Sequence, residues 1–156
     1  IGVVAVDGGQ AGLEMLPYRR DRLVLIVPLG HPLAGRQAVA FGEVLAEPFV
    51  CLHAGSAIHT FMMNHAARLG SRLDARIQVR SFNAVCRMVA AGVGIGMVPR
   101  SSLASADDTK TVEITDDWAP RDLQLCVRSR GALSPAAAAL FEHLAAKGVT
   151  ESTADA

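Results

Sequence analysis

The sequence has no excess of either charge, no long apolar run and no even set of cysteines. Fifteen lysines and arginines balance fifteen aspartates and glutamates among the 156 residues, so the formal net charge is zero. No basic stripe marks a surface for DNA. No apolar run approaches the roughly 20 residues that a membrane-spanning helix needs. We therefore expect this segment neither to bind nucleic acid nor to enter a membrane.

The three cysteines, Cys51, Cys86 and Cys126, are far apart, and each lies in an apolar pattern. Free cysteines are usually buried packing residues, and reduced thiols suit a cytoplasmic protein. Cys51 and His53 would point to the same face of a strand and form the only nearby thiol–base pair. We favour a core cysteine beside a loop-facing histidine over a nucleophile and its base.

Catalytic and metal-binding signatures are also missing. The chain has no G-x-S-x-G, no H-E-x-x-H and no phosphate loop. The histidines His53, His59 and His65 are spaced by six residues, which on a helix separates neighbours by about 120°. Metal-binding pairs on helices are spaced by three or four residues. The sequence thus favours a protein that is not an enzyme and binds no metal.

Three alternate glycines, Gly92, Gly94 and Gly96, do not form a dinucleotide-binding fingerprint. That motif follows a strand and opens a helix, whereas here a helical stripe precedes the glycines and a strand follows them. We expect Gly92 to end a helix with positive φ and the other two to permit close packing. No cofactor is predicted.

Short apolar runs alternate with helical stripes along most of the chain. This alternation predicts an α/β fold with a largely parallel sheet, in which residues 23–27 form a central strand covered on both faces. Strands are predicted at residues 1–6, 23–27, 49–53, 76–80, 95–98, 111–114 and 123–127. Helices are predicted at residues 58–69, ending at Gly70, at 82–89, ending at Gly92, and from Ser134-Pro135 to Gly148, followed by a disordered tail at 149–156.

Two segments where a strand ends, residues 51–56 and 79–83, are candidate ligand-binding edges, and Arg100, after a third strand end, either pairs with an anionic effector or only caps a surface. Ligands of open α/β sheets bind beyond the carboxyl ends of the strands, and helix N-termini there offer free N–H groups. Serine and asparagine at these positions also serve as helix caps, and an aromatic residue there can simply pack inside the core. The candidate binding residues are His53, Gly55, Ser56, Ser81, Phe82, Asn83, Pro99 and Arg100.

Three motifs in fixed order resemble the effector-binding domain of LysR-type transcriptional regulators, over residues 1–148. They are the sequences HPLA at residues 31–34, EPFV at 47–50 and AAGVGIGMVP at 90–99. The resemblance implies a fold like that of periplasmic binding proteins, with two Rossmann-like subdomains joined by two crossing strands. It assigns residues 1–27 to the end of the first subdomain and the first crossing strand, 28–122 to the second subdomain, and 123–148 to the returning strand and a helix of the first subdomain.

The same resemblance implies a sensor that binds a small polar or anionic metabolite between its subdomains and makes or breaks no bond. The candidate segments after residues 52 and 79 match places where these sensors line the effector cleft. The family implies a homodimer or tetramer, with residues 57–69 and 76–80 on the dimer surface. It also implies DNA contact through an N-terminal domain that is absent from this sequence.

The chain begins at Ile1 inside a strand-like run, so we expect a fragment that lacks the helix-turn-helix and the first half of the first subdomain. An alternative is a solute-binding protein of a transport system, which has the same architecture but is exported. A signal peptide upstream would favour the alternative, and a helix-turn-helix would exclude it.

Overall fold

The computed structural model describes residues 1–5, 11–103 and 108–151, with side chains described as far as residue 148. The strands are β1 (Gly2–Ala5), β2 (Glu14–Pro28), β3 (Ala38–Val39), β4 (Pro48–Leu52), β5 (Asp74–Val79), β6 (Ile95–Pro99), β7 (Thr109–Ile114) and β8 (Pro120–Val127). The helices are α1 (Ala57–Arg68), α2 (Phe82–Ala90) and α3 (Pro135–Glu151). The predicted strands and helices are thus present, although Val6, predicted to end the first strand, lies outside the described residues.

The chain divides into two compact units. Unit 1 comprises Ile1–Asp21 and Pro120–Ala156, and unit 2 comprises Arg22–Ala119. Both apolar runs that the sequence predicts as crossing strands are strands, and the strands that contain them, β2 and β8, are hydrogen-bonded neighbours. The assignment of chain segments to the subdomains of the resembled family stays a prediction.

The sheet of unit 2 has the order β5-β4-β6-β2-β7-β3. β4 pairs in parallel with β5 and β6, and β3 pairs in parallel with β7. β2, in contrast, is antiparallel to both β6 and β7. The prediction of a largely parallel sheet is therefore wrong. Only the β4–α1–β5–α2–β6 stretch contains the helical crossovers that parallel neighbours need.

The part of β2 in unit 2 is a central strand, as predicted. Its side chains alternate between two cores: Leu23, Leu25 and Val27 join the larger cluster, and Val24 and Ile26 join the cluster under α2. All five are at most 1% exposed. An apolar run without polar alternation is what a strand covered on both faces requires.

The glycines of β6 permit the close packing that the sequence predicts. A Cβ on Gly96 would lie 2.7 Å from Val85 Cγ1 of α2, so the helix rests directly on this strand. A Cβ on Gly94 would overlap the carbonyl oxygen of Pro48. Gly92 has φ of 77° and ends α2, which is also as predicted.

Helix α1 buries a narrower stripe than the sequence suggests. Ile58, Met62 and Ala66 are buried, whereas Leu69, predicted to share that face, is largely exposed. Leu69 follows the last helical residue and caps the helix end, so it no longer lies over the core. Gly70, with φ of 67°, completes the predicted left-handed stop.

Unit 1 contains β1, β8, the first part of β2, and α3. β8 is hydrogen-bonded to β1 on one side and to β2 on the other. Its core consists of Leu125, Val127 and Phe141, with Leu16 and Tyr18 packed against them. β8, its neighbouring strands and α3 thus bury a small apolar cluster within unit 1.

Helix α3 begins as predicted, because the Ser134 hydroxyl accepts a hydrogen bond from the Ala137 N–H at 3.3 Å. The predicted end at Gly148 is wrong, since α3 continues to Glu151. Gly148 is a packing glycine: a Cβ there would lie 2.7 Å from Tyr18 Cδ2. The predicted disordered tail at 149–156 is thus helical as far as Glu151, and its remaining residues lie outside the described part of the chain.

Two of the three sequence motifs contact each other. His31 caps a short 3-10 helix, Pro32–Gly35, because its Nδ1 accepts a hydrogen bond from the Leu33 N–H at 3.2 Å. That bond places the ring proton on Nε2, which lies 3.6 Å from Glu47 Oε2 in the second motif. The HPLA and EPFV motifs therefore stabilise one corner of unit 2 together.

Candidate functional site

Three parallel strand ends of unit 2 form one edge of its sheet. β5, β4 and β6 are neighbours in that order and end at Val79, Leu52 and Pro99. The backbone N–H of His53 donates to the Val79 carbonyl oxygen at 2.9 Å, so the first two ends are joined directly. The candidate binding residues lie in three segments that begin at these ends. We call this edge, residues 53–56, 81–83 and 99–100, the strand-end site.

The first segment turns sharply into α1. Gly55 has φ of 95°, a conformation that strongly favours glycine, and Ser56 then caps the helix by accepting the His59 N–H at 3.2 Å. The Ala54 N–H is bound to Gln78 Oε1 at 2.9 Å, which ties the loop to β5. The loop is therefore held in place by both backbone conformation and a neighbouring side chain.

The second segment repeats this arrangement at α2. The exposed Ser81 hydroxyl accepts the Ala84 N–H at 3.2 Å. Asn83 is exposed in the first turn of the helix. Phe82 is half-buried and packs against both apolar clusters of unit 2. Phe82 thus supports the site from below, while Ser81 and Asn83 face solvent.

The third segment carries a guanidinium group that is already paired. Pro99 is buried at the end of β6, and Arg100 donates to Glu113 Oε1 on β7. The other carboxylate oxygen, Glu113 Oε2, lies 3.0 Å from Arg22 Nε. A carboxylate therefore matches Arg100 at this edge. Strand order brings β7 within reach, although Glu113 is 13 residues away in sequence.

Cys51 and His53 do not form a nucleophile and a base. Cys51 is buried in the core of unit 2, whereas His53 is exposed and its Nδ1 lies 3.0 Å from the Ala54 carbonyl oxygen. Burial, reinforced by the negative charge of Asp74, raises the pKa of the Cys51 thiol to about 11. Burial also raises the pKa of Cys86. Both thiols therefore stay protonated and unreactive at neutral pH.

The described residues contain no cluster of three or more histidine, cysteine or carboxylate side chains able to hold a metal ion. His65 stacks against Phe61 and Trp118, with ring centroids 4.1 Å and 4.9 Å away. His59 is half-buried, six residues before His65 on the same helix. Among the helices that the structure describes, none has the length and apolarity needed to cross a bilayer.

The structure brings the strand ends and their helix caps together at one edge of the sheet. Two supports were missed by the sequence analysis: Gln78, which holds the first loop, and the Arg22–Glu113 pair, which holds Arg100. Polar and apolar residues alternate along β5, which is only a weak indication that the Gln78 side chain is free to bind the first loop. Nothing local predicts Glu113, because its role depends on the antiparallel placement of β2 between β6 and β7.

A family model, the LysR substrate binding domain, matches residues 1–148. The chain belongs to this family. A curated relative, the uncharacterized HTH-type transcriptional regulator YwbI of Bacillus subtilis (strain 168), is 26% identical over 145 residues, which are 92% of this chain and 48% of the relative. The chain spans about half the length of the curated relatives it matches.

Solved structures share the fold. The CcmR regulatory domain of Synechocystis PCC6803, in complex with 2-PG, aligns with a TM-score of 0.77 and 21% identity over 94% of this chain and 72% of that one. An OxyR variant from Corynebacterium glutamicum with H2O2 bound aligns with a TM-score of 0.68 and 21% identity, over 95% of this chain and 51% of that one. At such identities the likeness establishes the fold and nothing about the ligand.

Proposed function

We propose that this chain is the effector-sensing part of a LysR-type transcriptional regulator and that it binds a small polar or anionic metabolite at the strand-end site. The observation that carries the proposal is the junction of three parallel strand ends with two capped helix N-termini in a member of this family. Ligands of open α/β sheets bind beyond such ends. Structures of relatives with 2-PG and with shikimate support the choice of a small molecule.

The chemistry of the edge favours an anion over a cation. Ser56 and Ser81 each accept a helix N–H through Oγ, which leaves each hydroxyl proton available to donate to a ligand. Two guanidinium groups, Arg22 and Arg100, face one carboxylate, Glu113, so this cluster carries one net positive charge. Donors and positive potential together stabilise a carboxylate or phosphate.

A thiol-based peroxide response is a function that Cys51 and Cys86 do not support. The solved OxyR variant has H2O2 bound, and a curated relative from Mycobacterium avium is a probable hydrogen peroxide-inducible genes activator. Peroxide-reactive cysteines need a thiolate. Cys51 and Cys86 have raised pKa values, so neither supplies one at neutral pH.

The mechanism we propose is a population shift. Effector binding favours one arrangement of the sensing region, and this changes how a dimer or tetramer presents its DNA-binding domains. DNA contact belongs to a domain outside this chain, and no bond of the effector is broken. Such a regulator works in the cytoplasm, and the free thiols Cys51, Cys86 and Cys126 are compatible with that compartment.

Calorimetric titration of the full chain with a metabolite panel tests the proposal. Ser56→Ala and Ser81→Ala should each weaken binding by about 1 kcal/mol for a neutral hydrogen-bond partner, and by more for a charged one. Ser81→Asp is a sharper variant, because aspartate caps a helix as well as serine does but repels an anion. It should abolish anion binding while the thermal midpoint of unfolding stays unchanged.

Ser134→Asp is the matched control, since Ser134 caps α3 in the same way but lies in unit 1. This variant should bind the effector like the wild type. Unchanged affinity in both Ser81 variants and in Ser56→Ala would contradict the site. A preference for cationic ligands would contradict its proposed chemistry.

A further inference from the structure

We propose that Glu113 is a built-in counter-ion that competes with an anionic ligand for Arg100, so that this pair sets the affinity and charge selectivity of the strand-end site. The inference rests on the proposed function, because it concerns the ligand of that same site. It identifies Arg100 as the group that recognises the anion and Glu113 as a specificity-determining residue that touches Arg100.

The sheet order places the pair where a ligand would lie. Leu23 of β2 is opposite Pro99 of β6, and Val24 is opposite Glu113 of β7. Arg100, one residue beyond β6, therefore reaches across the end of a single strand to Glu113. Arg100 follows the end of β6, whose neighbour β4 ends at the same edge, and Glu113 lies two strands farther along this edge, on β7.

The two arginines around Glu113 are held differently. Arg22 donates from Nη2 to the Ile114 carbonyl oxygen at 2.7 Å and also lies 3.0 Å from Glu113 Oε2, so it is fixed by backbone and carboxylate together. Arg100 is bound to Glu113, and half of its side chain is exposed. Arg100 is therefore the more easily released guanidinium.

Exchange of partners at Arg100 costs little. An exposed ion pair is weak because water screens it, whereas a planar guanidinium binds a carboxylate or phosphate through two parallel hydrogen bonds. When a ligand anion takes Arg100, Glu113 keeps Arg22 as its partner. Neutral ligands neither bind Arg100 as a counter-ion nor displace Glu113, so the pair affects the binding of anions alone.

Calorimetric titrations of the full chain with inorganic phosphate, glycerol 3-phosphate and succinate test the proposal, with glycerol as the neutral probe. Glu113→Gln should bind the anions about threefold to fivefold tighter, the size of a lost exposed ion pair. Arg100→Gln should bind them at least about tenfold more weakly. The double variant should match Arg100→Gln, because Glu113 then has nothing to compete for.

Glu43→Gln is the matched control, since Glu43 forms a comparable exposed pair with Arg36 at 2.8 Å elsewhere in unit 2. It should bind anions like the wild type. If the double variant binds anions more tightly than Arg100→Gln does, the effect of Glu113→Gln is a general effect of charge, and the proposal is overturned. Unchanged or weaker binding by Glu113→Gln would also overturn it.

Failure of this inference is distinguishable from failure of the proposed function. If neutral metabolites bind the wild type and bind Ser81→Ala more weakly, while the three anions bind neither the wild type nor any variant, Glu113 has no such role but the sensing site stands. If no member of the metabolite panel binds the wild type, both proposals fail together.

Discussion

Gly148 of α3 faces the backbone carbonyl of Tyr18 so closely that a side chain on the glycine would overlap the carbonyl oxygen. The helix therefore rests on β2 through a bare α-carbon in the interior of unit 1. The overlapping carbonyl of Tyr18 belongs to the backbone, so it cannot swing aside as the end of a long side chain could. The glycine is required by packing, although its position in the sequence suggests a helix stop.

Gly148→Ala should destabilise the protein, even though alanine favours a helix by about 1 kcal/mol over glycine. Overpacking costs about 1–3 kcal/mol, and an overlap with backbone belongs at the upper end of that range, so we expect a net loss on the order of 1–2 kcal/mol in the free energy of unfolding, measured in urea. Gly131→Ala is the control, because a Cβ at Gly131 has 3.9 Å to its nearest neighbour. A Gly148→Ala protein as stable as the wild type would refute the close contact.

Neighbouring ion pairs on β2 and β8 should differ in their contribution to stability. Asp21 and Arg121 are mostly buried, with side chains 6% and 19% exposed and Nη2 3.1 Å from Oδ2, whereas Arg20 and Asp122 are 84% and 70% exposed. Arg121→Ala removes one charged partner of the mostly buried Asp21 carboxylate and should cost about 2 kcal/mol. Asp122→Ala should cost less than about 1 kcal/mol. Equal losses in chemical denaturation would contradict this difference.

Asp116 should contribute far more than the adjacent Asp117. Its Oδ2 accepts the Phe41 N–H at 2.7 Å and joins two distant loops of unit 2, while Asp117 is exposed. Asp116→Ala should lower the free energy of unfolding by about 1–3 kcal/mol, because it leaves that N–H without its charged acceptor. Asp117→Ala should change it by less than about 0.5 kcal/mol. Denaturant midpoints that coincide for the two variants would contradict the assignment.

Cys51 should resist alkylation at neutral pH in the folded protein. With a pKa of about 11, only about one thiol in ten thousand is a thiolate at pH 7. The raised pKa also means that the free energy of unfolding falls as the pH rises from the ordinary thiol value of 9.0 towards 11, because the unfolded chain loses its proton first. Peptide mapping after iodoacetamide treatment at pH 7 should show little labelling of Cys51. Rapid labelling of Cys51 would contradict the prediction.

The elements of unit 2 follow closely from local sequence patterns. The apolar run at residues 23–27 and the caps at Ser56 and Ser81 predict a buried strand and two helix starts, since both features depend on neighbours in sequence. Strand direction does not follow in the same way. β2 and β7 join the sheet without a helical crossover, so their antiparallel pairing had no local signal.

The strand-end site was predictable in outline and not in its electrostatics. Parallel strand ends and helix caps can be read from the sequence, so the positions of Ser56 and Ser81 were accessible. The pairing of Arg100 with Glu113 depends on which strand lies between β6 and β7. Gly148 shows the same limit, because its contact with Tyr18 joins residues 130 positions apart.

The most direct test of the account is a solution NMR titration of the uniformly ¹⁵N-labelled full chain with the tightest ligand from the metabolite panel. We predict that the largest amide shift changes in unit 2 fall at residues 53–57, 81–85 and 100–101, and that they vanish in Ser81→Asp but persist in Ser134→Asp. Shift changes that leave these three segments unaffected would contradict the central claim that the strand-end site holds the effector.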